Sequence, residues 1–516
     1  MMTIEQAKKQ IKQAVAAYLT VNEYGRPIIP LEKQRPVILM GPPGVGKTAI
    51  MEQIAGEMGI GLVSYSMTHH TRQSALGLPY IEDQTFCGNS YKVSLYTMSE
   101  IIAEVYKKIE HEDCPRGILF LDEINCVSET LAPSMLQFLQ YKTFGTHRLP
   151  EGWVVVTAGN PQEYNDSARD FDVVTWDRLK RIDIAPDFGA WKKFVYTSAA
   201  GVHPAIVTFL DTYHAEAFYS VETTPEGKRF VTPRGWNDLS AMMNIFESKK
   251  FDIDYDLIRQ YIQNDQIASK FKSSYELYLK YSGDYKVEDI LAGKVSDHVK
   301  EKAKAVKKLA MTHDEKRGEA LTECFGIVNM IVAALYDESR QQYIANQAVG
   351  DDLKKCKDML SNANGAYRAK LDAVVAAKRT ELDKGEKSGS MGADKKERFR
   401  LVIKFLESLR AQLVNVSDDE AFAFIKNAFS EFEKNVKAEK MRIGSHIDNA
   451  YMFIEEVFGK KSTEIEILTN DLTGNNYYNG PLECAHKYYE YCGLLFNSKR
   501  TDNLRKDITV DFTELN

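Results

Sequence analysis

The sequence predicts an α/β domain built on a parallel sheet, followed by a small helical lid and an all-α C-terminal region. Three observations carry this reading. Before about residue 190, short apolar β-branched runs alternate with amphipathic stretches, the pattern of a parallel sheet flanked by helices. From residue 191 to about residue 283 the apolar spacing turns helical, as in Val207, Leu210 and His214, and again in Ile258, Tyr261 and Ile262. Beyond about residue 295 strand signals nearly vanish, and Lys/Glu/Ala-rich stretches such as 353–383 and 395–440 take over. A chain of 516 residues exceeds one ordinary core, which stops growing at roughly 250 to 300 residues. The composition shifts place the domains at 1–190, 191–290 and 291–516.

The predicted strands are residues 37–40, 62–66, 118–121 and 153–158, the last leading into Gly159, Asn160 and Pro161, a turn signal. Residues 384–392, rich in Gly and Ser between two long helical stretches, are expected to form a flexible loop and are the best candidate for disorder. No fixed-period repeat is present.

The apolar fraction of 44% and charged fraction of 27% are those of an ordinary globular chain. No stretch approaches about 18 uninterrupted apolar residues, so no membrane span is expected. The first residues carry Glu5, Lys8, Lys9 and Lys12 without the apolar core of a signal peptide, and the expected location is the cytoplasm. Cys87, Cys114, Cys126, Cys324, Cys356, Cys484 and Cys492 form no CxxC pair and read as reduced thiols. Lys plus Arg against Asp plus Glu stands at 30 to 37 over residues 1–290 and at 36 to 36 beyond. Neither part carries the basic excess of a nucleic-acid binder.

Gly41, Pro42, Pro43, Gly44, Val45, Gly46, Lys47 and Thr48 match GxxxxGK[ST], between the strand 37–40 and a helix-compatible run that opens at Ala49. Glycines let backbone N–H groups turn inward around a β-phosphate, and the following helix adds the positive end of its dipole. Lys47 is placed to reach the β- and γ-phosphates of ATP, and Thr48 to ligate Mg²⁺. Residues 118–123 are four apolar residues ending in Asp122 and Glu123, as a buried strand delivering acids to the sheet edge would be. Asp122 is expected to hold Mg²⁺ through water, and Glu123 to orient and deprotonate the attacking water.

Trp153 to Pro161, with Asn160 at the strand end, resembles the sensor 1 strand of AAA+ ATPases, and the subgroup resembled is MoxR-like. Leu136 to Pro150 is similar to the helix and hairpin that precede sensor 1 in that family, and Leu76, Gly77, Leu78 and Pro79 to its segment after the second strand. The resemblance covers about residues 5 to 280. It implies that Asn160 hydrogen-bonds the γ-phosphate or the lytic water, although a turn-forming Asn-Pro would favour the same residue. Trp176, Asp177 and Arg178 resemble the segment whose arginine enters a neighbouring subunit's site as an arginine finger. Here Leu179 stands where Phe is usual, and Arg181 competes for the role; a surface Arg178 pairing with Asp177 or Asp183 is the alternative. Thr232, Pro233 and Arg234 resemble sensor 2, with Pro233 suited to the first helical position.

Two further groups read as structural. His69 and His70 point apart on a strand and have no third ligand spaced nearby, so they are expected to be solvated rather than metal-bound. Tyr477, Tyr478, Tyr488, Tyr489 and Tyr491 are expected to pack a helical core. The resemblance implies a ring, expected as a hexamer, that remodels or matures a client protein complex, commonly with a partner bearing a von Willebrand A domain. A nucleic-acid motor and an ATP-gated scaffold are the alternatives; the acidic balance stands against the first, and the filled catalytic positions against the second.

Overall fold

The computed structural model describes residues 1–69, 72–197, 201–224, 227–312, 315–361, 367–414, 416–473 and 475–492. Internal contacts divide the chain into two compact units, Met1–Ala190 with Ala376–Lys396, and Trp191–Val375 with Glu397–Asn516.

The first unit contains β1 (Val37–Met40), β2 (Gly61–Ser66), β3 (Pro79–Phe86), β4 (Asn89–Tyr96), β5 (Gly117–Asp122), β6 (Thr143–Phe144), β7 (His147–Arg148), β8 (Trp153–Gly159) and β9 (Lys180–Asp183). Its helices are α1 (Ile4–Tyr18), α2 (Lys47–Met58), α3 (Arg72–Leu76), α4 (Glu100–Glu112), α5 (Ala132–Tyr141) and α6 (Val173–Asp177). Five strands form one parallel sheet in the order β2-β5-β8-β1-β9. The α/β class and the four predicted strands stand, with ends shifted by a residue.

Alternation along the central strands explains why both faces are covered. Ile38, Leu119, Leu121 and Val155 enter one core with Ile101 and Ile102 of α4 and Phe138 of α5. Val37, Leu39, Ile118, Phe120, Val154 and Val156 enter the other with Ile11 of α1 and Ile50 and Ile54 of α2. Period-2 side-chain direction on strands apolar at every position sends half of each strand to each face, as a buried parallel sheet requires. A fifth strand, β9, lies at the edge. Only Ile182 in it is buried, which is why the run of Lys180, Arg181, Ile182 and Asp183 carries no strand signal.

One hairpin of this unit escapes sequence reading. β3 and β4 pair antiparallel from Pro79 with Tyr96 to Phe86 with Asn89. Their turn residues Cys87 and Gly88 both have positive φ, 51° and 85°, as a two-residue turn matching the strand twist needs. The hairpin exposes Tyr80, Ile81, Phe86 and Tyr91. β6 and β7 form the short hairpin between α5 and β8 that the resemblance of residues 136–150 leads one to expect.

Lys142 ends α5 in the left-handed region at φ 59° and is 1% exposed. Its ammonium donates to the Leu139 carbonyl, and burial pushes its pKa down to about 8. A base whose folded pKa lies below its unfolded value binds fewer protons when folded, so stability rises with pH between about 8 and about 10.5. We expect Lys142→Met to raise stability at pH 7 by about 1–3 kcal/mol, an advantage that shrinks above pH 9. Melting curves at both pH values check this; a variant less stable than wild type at pH 7 would refute it.

The second unit holds α7 (Phe188–Thr197), α8 (Pro204–Phe218), β10 (Ser220–Thr224), β11 (Gly227–Val231), α9 (Pro233–Lys249), α10 (Tyr255–Tyr261), α11 (Asp265–Ser282), α12 (Val287–Leu291) and α13 (Asp297–Ala310). It continues with α14 (Arg317–Gln347), α15 (Lys354–Ser361), α16 (Tyr367–Ser388), α17 (Ala393–Leu413), α18 (Asp418–Phe458), α19 (Thr463–Leu472) and α20 (Asn479–Leu482). Helices α16 and α17 extend into the first unit at their shared tip.

Among the described residues, the helical stretch Arg317–Leu360 is long and apolar enough to cross a membrane, yet 61% of its apolar window is buried inside the protein. Asn329, Ser339 and Arg340 are buried along it, as in a core helix. Lys192 of α7 lies between Asp211 of α8 at 3.0 Å and Asp471 of α19 at 2.8 Å, and Asn329 donates to Asp211 at 2.9 Å. This buried polar cluster ties the segment after residue 190 to the C-terminal helices. Tyr477, Tyr478, Tyr488 and Tyr491 are buried and Tyr489 is exposed, which makes the tyrosine cluster largely core.

One expectation is corrected. Residues 384–388 continue α16, and only 389–392 form a turn before α17. Ser388 and Met391 are 1% and 7% exposed, so the segment is packed rather than loose. His70 and the side chain of His69 lie outside the described residues. None of the seven cysteines is in a disulfide.

Candidate functional site

Strand order brings the site together. β8 lies between β5 and β1, so the turn after β8 sits between the loop that follows β1 and the acids that end β5. This is the carboxyl edge at which open α/β sheets bind ligands.

The loop from Gly41 to Gly46 turns sharply into α2. Gly44 and Gly46 have φ of 75° and 94°, and Gly46 is the residue before the first helical turn. Any side chain at Gly46 would force a left-handed backbone that L-residues resist. Lys47 is 7% exposed, and its ammonium donates to the Gly41 carbonyl at 2.9 Å, the Pro42 carbonyl at 2.8 Å and Asn160 Oδ1 at 2.7 Å.

Thr48 Oγ1 donates to Asp122 Oδ2 at 2.9 Å, while Asp122 Oδ1 accepts from the Glu123 backbone N–H at 2.9 Å. Both carboxylate oxygens are thereby oriented by the chain itself. Glu123 has φ 56° and ψ 36°, a strained conformation for a residue with a β-carbon, worth about 1–2 kcal/mol. Its Oε2 accepts from Ser66 Oγ at 2.7 Å and from Thr68 Oγ1 at 3.0 Å.

Three functional neighbours are missed by sequence reasoning. Ser66 and Thr68, at the end of β2 and just beyond it, grip the Glu123 carboxylate. Asn125, 3% exposed, donates from Nδ2 to the Asn160 carbonyl at 2.8 Å and fixes the turn that presents Asn160. A hydroxyl residue at the end of a buried strand, and a polar residue just after two acids, are the only local signals for them. Cys126 beside them has its thiol pKa raised by burial and then by the Glu123 and Asp122 charges.

The predicted residues Lys47, Thr48, Asp122, Glu123 and Asn160 therefore meet at one sheet edge. Arg178 caps α6, its backbone N–H donating to the Thr175 carbonyl at 3.1 Å, and its exposed side chain makes no hydrogen bond or ion pair among the described residues. Beside it Val173 and Val174 are 83% and 58% exposed. Arg181 is engaged differently: its Nε lies 2.8 Å from Asp183 Oδ1 and its guanidinium 4.4 Å from the Trp176 ring centre. Leu179 is buried in the core that Phe171 and Trp176 pack against, so an aliphatic side chain fills the place where Phe is usual. Arg234 is the second residue of α9, exposed, after Pro233 at the first helical position and Thr232, which accepts from the Gly235 N–H as the cap. It belongs to the second unit.

The donors suit a magnesium nucleotide. One hydroxyl and one carboxylate are the hard-oxygen set that holds Mg²⁺ when phosphates and water complete its shell. No group of three or more His, Cys, Asp or Glu that could hold a metal by itself exists among the described residues.

A parallel sheet of this order, with a phosphate-type loop after β1 and paired acids at the end of β5 two strands away, defines a P-loop AAA+ fold. Residues 37–173 match the family described as ATPase family associated with various cellular activities (AAA), so this segment is an AAA domain and the chain carries an AAA+ ATPase domain. Nucleotide binding is a general property of that family. No curated protein matches the chain. Among solved structures it is similar to that titled "Structure of C. elegans PCH-2", at 14% identity and a TM-score of 0.24, covering 54% of this chain and 70% of that one.

Proposed function

We propose that this chain is a MoxR-like AAA+ ATPase that hydrolyses Mg-ATP in a hexameric ring to remodel or mature a client protein complex. The observation that carries the reading is the chain of contacts from Thr48 to Asp122 to Glu123, with Lys47 bonded to Asn160, which presents a metal ligand, a base and a polarising amide at one edge. In this reading ATP is held by Gly41, Pro42, Pro43, Gly44, Val45, Gly46, Lys47, Thr48 and Ala49, and Mg²⁺ by Thr48 and Asp122. Bound Mg²⁺ supplies charge neutralisation on the phosphates. Glu123 orients and deprotonates the attacking water, Asn160 aligns it, and Arg178 and Arg234 act on the γ-phosphate. The division at 1–190, 191–290 and 291–516, a partner bearing a von Willebrand A domain, and a cytoplasmic location belong to the same proposal.

A protein client is supported by charge and by surface. The acidic balance of residues 1–290 disfavours a polyphosphate backbone, and the β3–β4 hairpin offers Ile81 and Phe86 at 72% and 52% exposure. Full-length Glu123→Gln loaded with Mg-ATP is expected to retain a co-purifying protein that Lys47→Ala releases. Tight, salt-sensitive DNA or RNA binding that stimulates turnover would overturn this in favour of a nucleic-acid motor.

A further inference from the structure

The tip of the α16–α17 hairpin, in the first unit, is seated on the helix that opens with Lys47 and Thr48. A β-carbon at Gly56 of α2 would lie 2.8 Å from the Gly392 nitrogen and 2.9 Å from its Cα, so only glycine permits this backbone approach. The tip is itself folded tightly. A β-carbon at Gly385 would lie 2.5 Å from Met391 Cγ, and Ser388 and Ser390 hydroxyls lie 2.7 Å apart. Lys108 of α4, 8% exposed, donates to the Lys387 carbonyl in the last turn of α16 and to Glu112 at 2.8 Å. The half of α2 that carries Gly56 is also held by α1, through Lys8 to Gln53 at 2.8 Å and Lys12 to Glu57 at 2.8 Å.

The geometry points to a latch: the docked tip 385–392 clamps the C-terminal half of α2, and so prearranges the phosphate loop at its N-terminal end. The same helix carries Thr48 at one end and Gly56 two turns on, with no Pro between. Packing on Gly56 restrains α2 before nucleotide arrives, so less ordering is left for binding to accomplish. Linkage is reciprocal: if docking strengthens nucleotide binding, nucleotide strengthens docking by the same factor.

This inference rests on reading residues 41–48 as the nucleotide site. Two full-length variants attack the latch from opposite sides, Gly56→Leu on the receiving helix and Met391→Lys in the tip, where a charge replaces a buried side chain. The readouts are Mg-ADP affinity and amide hydrogen exchange of residues 385–396. Each variant is expected to weaken Mg-ADP binding roughly five-fold or more and to speed exchange in the tip. In the wild-type chain Mg-ADP is expected to slow that exchange. Wild-type affinity despite a fast-exchanging tip, an unaltered tip in both variants, or tip exchange indifferent to Mg-ADP in wild type would each overturn the latch. A loss of affinity in Gly56→Leu alone would place the effect within α2 and likewise overturn it. Failure of the wild-type chain to bind Mg-ADP would instead strike the nucleotide-site reading.

Discussion

Glu123→Gln is expected to bind Mg-ATP as the native chain does while turning it over at least about 10²-fold more slowly, and Lys47→Ala is expected to lose binding. The two residues fail differently because their charges act at different stages. Lys47 is a buried ammonium surrounded by the Gly41 and Pro42 carbonyls and Asn160 Oδ1, aimed where phosphate oxygens would compete for it. Removing it deletes the one cation built into the loop and leaves those acceptors without their donor. The Glu123 carboxylate instead accepts from Ser66 and Thr68 at the strand end. An amide of the same shape keeps a carbonyl oxygen to accept those bonds, so the left-handed turn at Glu123 and the Asp122 contacts persist. What the amide cannot do is accept a proton from water. Isothermal titration and steady-state hydrolysis decide the matter; wild-type ATP affinity in Lys47→Ala would sink the assignment.

The legible part of this protein is what lies contiguous in the chain. GxxxxGK[ST] between a strand and a helix, and four apolar residues ending in Asp122 and Glu123, each declare their structure within a few residues. The unread parts depend on neighbours distant in sequence. β9 has one buried side chain because it is an edge strand, so nothing local marks it. Ser66 and Thr68 acquire meaning only when β2 pairs with β5 and brings them to Glu123. Residues 384–392 misled by composition. Gly392 there comes against Gly56 and Gly385 makes room for Met391, and a Gly/Ser-rich run with a partner reads the same as one without. The resemblance of Trp176, Asp177 and Arg178 favours Arg178 as the finger but leaves Arg181 as a competitor. The fold separates them, because only Arg181 lies over Trp176 and reaches Asp183.

That separation sets up the second large effect: Arg178→Ala is expected to cripple turnover by about 10³ to 10⁵ while leaving nucleotide binding largely intact. In the proposed site Lys47, Thr48, Asp122, Glu123 and Asn160 would cover metal, water and β-phosphate, yet would only partly meet the charge developing on the γ-phosphoryl group. A guanidinium from outside fits that need, and Arg178 stands exposed beside the exposed Val173 and Val174, as a residue presented to another subunit would. Arg181→Ala removes a side chain already engaged with Asp183 and Trp176, and its expected effect on turnover is less than about ten-fold. Mixing decides whether Arg178 acts in trans. Arg178→Ala subunits keep an intact Lys47 and Glu123, and Glu123→Gln subunits keep an intact Arg178, so mixed rings regain activity that neither parent shows. Recovery requires that the arginine of one subunit complete the site of the next, which no cis arrangement can supply. Absence of recovery, with subunit exchange demonstrated by a fluorescence label on each parent, would show that Arg178 does not act across the interface.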